Sequence, residues 1–143
     1  MLAFLVKFAM ASLLSVPHVS YIVAIASSPN PSLMRAIGHV ESKNDVLVNP
    51  NKKGFCCAMQ LAGGRYGNPT CEALEADPFL CVQTAWVELE YWKRKCGEAY
   101  LDAYNGGWRK CWTRPERKKC EEPYCTSYGK TVRILEKKYR RQK

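Results

Sequence analysis

The sequence predicts a mainly α-helical domain that carries a small loop or hairpin lobe and is stapled by disulfides. Three observations lead there. Two segments open on a capping residue followed by proline, Asn30-Pro31 and Asp77-Pro78, and continue with apolar residues at helical spacing. Between them, residues 46–70 concentrate Asn49-Pro50-Asn51, Gly54, Gly63-Gly64 and Gly67-Asn68-Pro69, which is turn chemistry rather than helix chemistry. The chain also holds eight cysteines, all of them beyond residue 55.

The first helix of the domain is expected after the Pro/Ser linker Ser27–Ser32, with Asn30 as N-cap. Leu33, Met34, Ile37 and Val40 share one face, and the helix ends near Glu41-Ser42, before the polar loop Lys43-Asn44-Asp45. A long helix is expected from Asp77-Pro78 to about Cys96, with Leu80, Thr84, Val87, Tyr91 and Trp92 near one face and Gly97 as its stop. A short helix from Glu98 to Tyr104 stops at Asn105-Gly106-Gly107. Residues 108–126 are irregular and cysteine-rich, and a last helix follows from Ser127, with Tyr128, Val132, Leu135 and Tyr139 on one stripe. Its tail, Lys137 to Lys143, is strongly basic and reads as a solvated end.

Residues 1–26 are set apart. They are nearly all apolar, Lys7 is their sole formal charge, and Ala24-Ile25-Ala26 has the form of an export-signal cleavage site. Pro17-His18 interrupts the run, which weakens a permanent membrane span. The expectation is a removable leader, with an uncleaved signal-anchor as the alternative and the only route to a membrane. A buried first helix is disfavoured, because nothing polar alternates with the apolar residues. Residues 27–143 then form one domain.

An even number of cysteines behind an export signal indicates disulfides formed in an oxidising compartment, periplasmic or extracellular, with the connectivity left open. A zinc site on Cys111, Cys120 and Cys125 is the weaker reading, since no C-x2-C knuckle is present and a fourth ligand is missing. The whole chain carries a formal charge of +9, which Lys7 raises by one. A basic exported domain is drawn to anionic polymers, wall glycans or nucleic acid, and charge does not choose between them.

Three short segments carry candidate chemistry: Glu41-Ser42 at the end of an apolar-faced helix, Gly54-Phe-Cys-Cys-Ala-Met59-Gln60, and Ala103-Tyr104-Asn105-Gly106-Gly107. In this order they resemble the soluble lytic transglycosylase family, whose fold is lysozyme-like and whose pattern runs E-S, G-x-x-G-L-M-Q, A-Y-N-A-G. Glu75-Ala76-Asp77-Pro78 before a long helix, and Tyr128 with Val132 in the last one, extend the resemblance over residues 32–139. The sequence departs from the pattern at Cys57 and Ala58, which replace the second glycine and the leucine, at Asn51, where a serine is frequent, and at Gly106. A disulfide at Cys57 would supply the packing of the lost glycine turn.

The resemblance implies cleavage of peptidoglycan at the bond between N-acetylmuramic acid and N-acetylglucosamine, with no metal or organic cofactor and no nucleic-acid partner. It makes Glu41 the catalytic acid and then base. It assigns Met59 and Gln60 to the cleft, Tyr104 to the surroundings of the glutamate, and Ser42, Asn51 and Asn105 to substrate-side or orienting positions. An acid of this kind must hold its proton near neutral pH, and the apolar face of Met34, Ile37 and Val40 beside Glu41 favours that. A hydrolytic lysozyme needs a second carboxylate roughly 5–9.5 Å away. Residues 52–58, Lys-Lys-Gly-Phe-Cys-Cys-Ala, contain none, while Asp45 and Asp77 fit other roles. That absence favours the substrate-assisted transglycosylase over a hydrolytic muramidase. An inactive wall-binding module and a basic nucleic-acid binder are the readings from other classes. Trp108 and Trp112 are candidates for stacking on sugars or for the core, and His39 is expected to be structural.

Overall fold

The proline-led starts form as expected in the structure, a computed structural model that describes residues 17–107 and 127–142. The Asn30 side chain accepts from the Leu33 N–H at 3.2 Å, and Pro31 takes the first helical position, where no donor is needed. The helix so opened, Pro31–Ser42, buries Leu33, Met34, Ala36 and Ile37. It closes on Lys43 in the left-handed conformation, φ 60°, whose N–H donates to His39 while Asn44 N–H donates to Gly38. Glu41 and Ser42 therefore occupy its last turn.

Ahead of it lies α1, Pro17–Ala26, which makes Pro31–Ser42 α2. Tyr21, Ala24 and Ile25 of α1 are buried in the main core, and the Tyr21 hydroxyl donates to Asn44 Oδ1 at 2.9 Å. A Cβ at Gly38 would collide with that hydroxyl and with the Asn44 side chain, so the tie requires glycine at this position. The sequence reading disfavours a buried first helix, yet residues 17–26 are packed as one. The reason is that α1 is apolar on its outer side as well as its inner one, with Ile22 and Val23 exposed and Ala24 and Ile25 buried, so periodicity has little to detect.

The turn-rich segment folds into a two-stranded antiparallel hairpin, β1 (Phe55–Cys56) with β2 (Leu61–Ala62), paired Phe55 to Ala62 and Cys56 to Leu61. Adjacent cysteines staple it to two different helices: Cys56 to Cys71 at the start of α3 (Cys71–Ala76), and Cys57 to Cys81 in α4 (Pro78–Cys96). The closed loops span 15 and 24 residues, so each bridge removes roughly 3 kcal/mol of unfolded-chain entropy. Cys57 stands where the resembled family has glycine and takes φ 55°, a region costly for a side chain. Cys96 is disulfide-bonded as well. The cysteines of the zinc reading, Cys111, Cys120 and Cys125, lie outside the described residues.

Asp77 caps α4 by accepting from Phe79 and Leu80 N–H, and Gly97 ends it, φ 56°. The buried face of α4 is not the expected stripe. Val87 and Tyr91 are exposed, and Cys81, Val82, Ala85 and Leu89 face the core. Both stripes have helical spacing; α1 and α5 pack on α4, and the Cys57 bridge at Cys81 fixes which side faces in. A 3-10 turn, Gly97–Ala99, leads to α5, Tyr100–Gly106, shifted two residues along from the expected Glu98–Tyr104, so Asn105 is helical and Gly107 (φ 70°) makes the stop. The last helix, α6, spans Ser127–Arg140, with Val132 fully buried and Tyr128, Leu135 and Tyr139 against the core.

Glu136 of α6 is 2 % exposed and holds several elements together. It receives Arg133 and Arg140 at 2.6 Å each and Asn30 Nδ2, the α2 cap residue, at 3.2 Å, while Arg133 also donates to the Tyr100 hydroxyl of α5. Burial by itself would raise its carboxyl, but the Arg133 and Arg140 hydrogen bonds outweigh that and hold it below 4.5. Being lowered in the fold, it contributes stability that is complete above about pH 4.5 and lost as pH falls through the depressed value. Glu136→Gln is therefore expected to flatten the acid side of a plot of melting temperature against pH. Glu136→Ala should cost about 2 kcal/mol at neutral pH, at the low end for a buried pair because Arg140 is well exposed.

Candidate functional site

Glu41 leaves the last turn of α2 facing inward, and the first turn of α6 supplies its partner: Tyr128 donates to Glu41 Oε1 at 2.6 Å. Burial pushes the Glu41 carboxyl above its usual 4.5, the Tyr128 hydrogen bond opposes this, and the nearby Glu88 charge adds to it. The outcome is a carboxyl that keeps its proton to higher pH than an exposed one. Its environment agrees with the apolar face read from α2. Tyr128, buried beside that carboxylate, has its hydroxyl pushed up and stays a donor.

Glu88 is a second carboxyl in the same region. It comes from α4, accepts from Trp92 Nε1 at 3.4 Å through one oxygen, and buries the other without a hydrogen-bond partner. Burial raises it, and the neighbouring donors of Trp92 and Asn68 lower it in part. Residues 52–58 hold no acid, and Asp45 and Asp77 serve backbone N–H groups as turn and cap residues. Glu88 is missed because Val87-Glu88-Leu89-Glu90 gives no sign of which glutamate turns inward. The one available signal is the i,i+4 spacing to Trp92, whose ring N–H seeks an acceptor when partly buried.

The remaining site residues sort by what they touch. Ser42 Oγ donates to the Ala58 carbonyl at 2.8 Å and accepts from Asp45 N–H, clasping α2 to the hairpin. Tyr104 donates to the Met59 carbonyl at 2.9 Å, so α5 is tied to the hairpin by the tyrosine expected near the glutamate. Burial first, then the charges of Tyr128, Glu88 and Glu41, raise its hydroxyl, which places all four groups in one electrostatic neighbourhood. The hydroxyl bonded to Glu41 is that of Tyr128, a residue the motifs mark only as part of a helix. Met59 corrects the cleft assignment: its side chain is fully buried, and its carbonyl does the positioning. Gln60, half-buried at φ 50°, accepts from Asn51 Nδ2 at 3.3 Å and donates to the Cys57 carbonyl. Asn51 Oδ1 in turn accepts from Lys53 and Phe55 N–H, building the loop before β1. Asn105 is exposed in the last turn of α5, away from the helix-stop role now held by Gly107. His39 is structural, its Nδ1 3.1 Å from the Tyr139 hydroxyl. Trp108 and Trp112 fall outside the described residues.

Among the described residues, no group of His, Cys, Asp and Glu side chains is arranged to hold a metal ion. Compared with protein-family models, with curated proteins and with solved structures, the chain matches none.

The Glu41 environment makes two opposite predictions for its titration, followed by carboxyl carbon NMR. Tyr128→Phe removes a donor that favours the carboxylate and should move the Glu41 midpoint up. Glu88→Gln removes a neighbouring negative charge and should move it down.

Proposed function

We propose that this chain is a peptidoglycan lytic transglycosylase acting outside the cytoplasm, in the periplasm or after secretion. The observation that carries the reading is Glu41: a carboxyl whose pKa burial raises, on the helix end next to the stapled hairpin, with Tyr128 and Tyr104 around it. The order of Glu41-Ser42, Met59-Gln60 and Tyr104-Asn105 along the chain supplies the substrate class through the resemblance. The disulfides suit an oxidising compartment.

In this mechanism Glu41 donates its proton to the oxygen between N-acetylmuramic acid and N-acetylglucosamine as the glycosidic bond breaks. The substrate's N-acetyl carbonyl oxygen stabilises the positive anomeric carbon, the substrate-assisted alternative to a protein nucleophile. Glu41, now a carboxylate, takes the proton of the muramic C6 hydroxyl, whose oxygen bonds to that carbon and gives a 1,6-anhydro end. Glu41 regains its proton, and no water is consumed. Gln60 offers an N-acetyl group the amide N–H that its bond to the Cys57 carbonyl leaves over, and Ser42 and Asn51 hold the hairpin that carries it.

Glu88 gives a second reading, hydrolysis by a muramidase on the same fold, some support, because it is a second carboxyl near the first. It is the weaker reading: Glu88 buries one oxygen and engages the other with Trp92, leaving no carboxylate face to hold an attacking water.

Digestion of purified wall, with mass analysis of the products, tests both. Anhydro-muramic ends are expected; reducing ends in their place would establish the hydrolase. Glu41→Gln should lower the rate by roughly 10²–10⁴-fold, whereas a wall-binding module would keep its full effect. Because the first step needs protonated Glu41, the rate should fall on the basic side as pH rises through its raised pKa, and Glu88→Gln should bring that fall to lower pH.

A further inference from the structure

The outer side of α1 and the basic end of α6 are used by nothing described so far. Tyr21, Ala24 and Ile25 lock α1 into the core, so the direction in which its opposite side points is fixed by the fold. That side shows Ile22 at 65 % and Val23 at 36 % exposure. Residues 1–16, which precede α1 in the sequence, are nearly all apolar, with Lys7 their sole formal charge. At the end of α6, Lys137, Lys138 and Arg141 are exposed, while Arg140 is engaged by Glu136. The two features adjoin: a groove of about 480 Å³ is walled by Ile22 and Ile25 of α1, by Tyr139 of α6 and by Gln142 just beyond that helix, with Arg35 beside it. Arg35 lies 4.2 Å over the Tyr139 ring, which keeps a further cation at this face.

We propose that α1 and the basic end of α6 together form a docking face for an anionic lipid bilayer. A single exposed isoleucine needs no explanation. Aliphatic side chains that continue a stretch of apolar sequence, and that stand beside several uncompensated cations, do have one. The aliphatics enter the headgroup–acyl boundary while Lys137, Lys138 and Arg141 meet lipid phosphates. Either signal by itself binds weakly, and the two on one face bind together. An anionic wall polymer would use the cations and leave Ile22 and Val23 unexplained. Docking on lipid by this face is independent of the chemistry at Glu41.

The test is co-sedimentation of the full chain with vesicles of phosphatidylcholine, with and without phosphatidylglycerol, and separately with purified wall sacculi. Binding is expected to require phosphatidylglycerol and to weaken with salt. Replacing Lys137, Lys138 and Arg141 together by Gln should weaken it on the order of a hundredfold, about fivefold per cation. Ile22→Asp should also release the protein, and unchanged melting temperatures would show that both variants, altered at exposed positions, remain folded. Equal binding to pure phosphatidylcholine, retention by the triple variant, or capture by sacculi without capture by vesicles would each overturn the proposal. So would a mature protein, weighed from its native membrane or medium, that lacks residues 1–26.

Discussion

The packing of α6 against α2 is the constraint on which the rest of the site depends. The two helices are far apart in sequence, and side-chain contacts bind them, among them Tyr128 to Glu41, Asn30 to Glu136, and Tyr139 to His39 and Arg35. Glu136 is the costly member, a carboxylate almost wholly removed from water. It persists because two guanidinium groups and an amide occupy its oxygens, which compensates the lost hydration. With α6 so held, Tyr128 is presented to Glu41 at hydrogen-bonding distance, and both groups are shielded from solvent by the same contact.

The second support is covalent. Cys56 and Cys57 are neighbours in sequence, but Cys56 ends β1 while Cys57 opens the turn at φ 55°, so their side chains diverge. One bridge therefore reaches α3 and the other α4. A hairpin this short would not persist by itself in water. Clamped by both bridges, it can hold Cys57 and Gln60 at positive φ and offer the Ala58 and Met59 carbonyls to Ser42 and Tyr104. Those carbonyls join the hairpin to α2 and α5, so the wall around Glu41 is assembled from three parts of the chain that are distant in sequence.

The placement of Glu88 changes how the missing carboxylate is understood. The hairpin segment lacks an acid, as read from the sequence, but the region around Glu41 does not. A second carboxyl there, itself held up by burial, acts on Glu41 through its charge. Under the proposed function, the choice between transglycosylase and hydrolase then rests on whether that carboxyl can reach a water, which its buried oxygen and its Trp92 bond oppose.

The sequence by itself determined the helix ends and the order of elements. Asn30-Pro31, Asp77-Pro78, Lys43-Asn44 and Gly97 act within a few residues of themselves, and local backbone chemistry suffices to place them. It likewise determined that Glu41 stands at the end of an apolar stripe, because that stripe lies on the same helix. Only the tertiary structure decided which face of α4 turns inward, that α1 belongs to the core, that Met59 is buried, and that Tyr128 and Glu88 flank Glu41. Each of these depends on contacts between segments tens of residues apart. An apolar-rich helix such as α1 or α4 presents more than one acceptable face, and the choice among them is made by the neighbours and by the disulfide at Cys81.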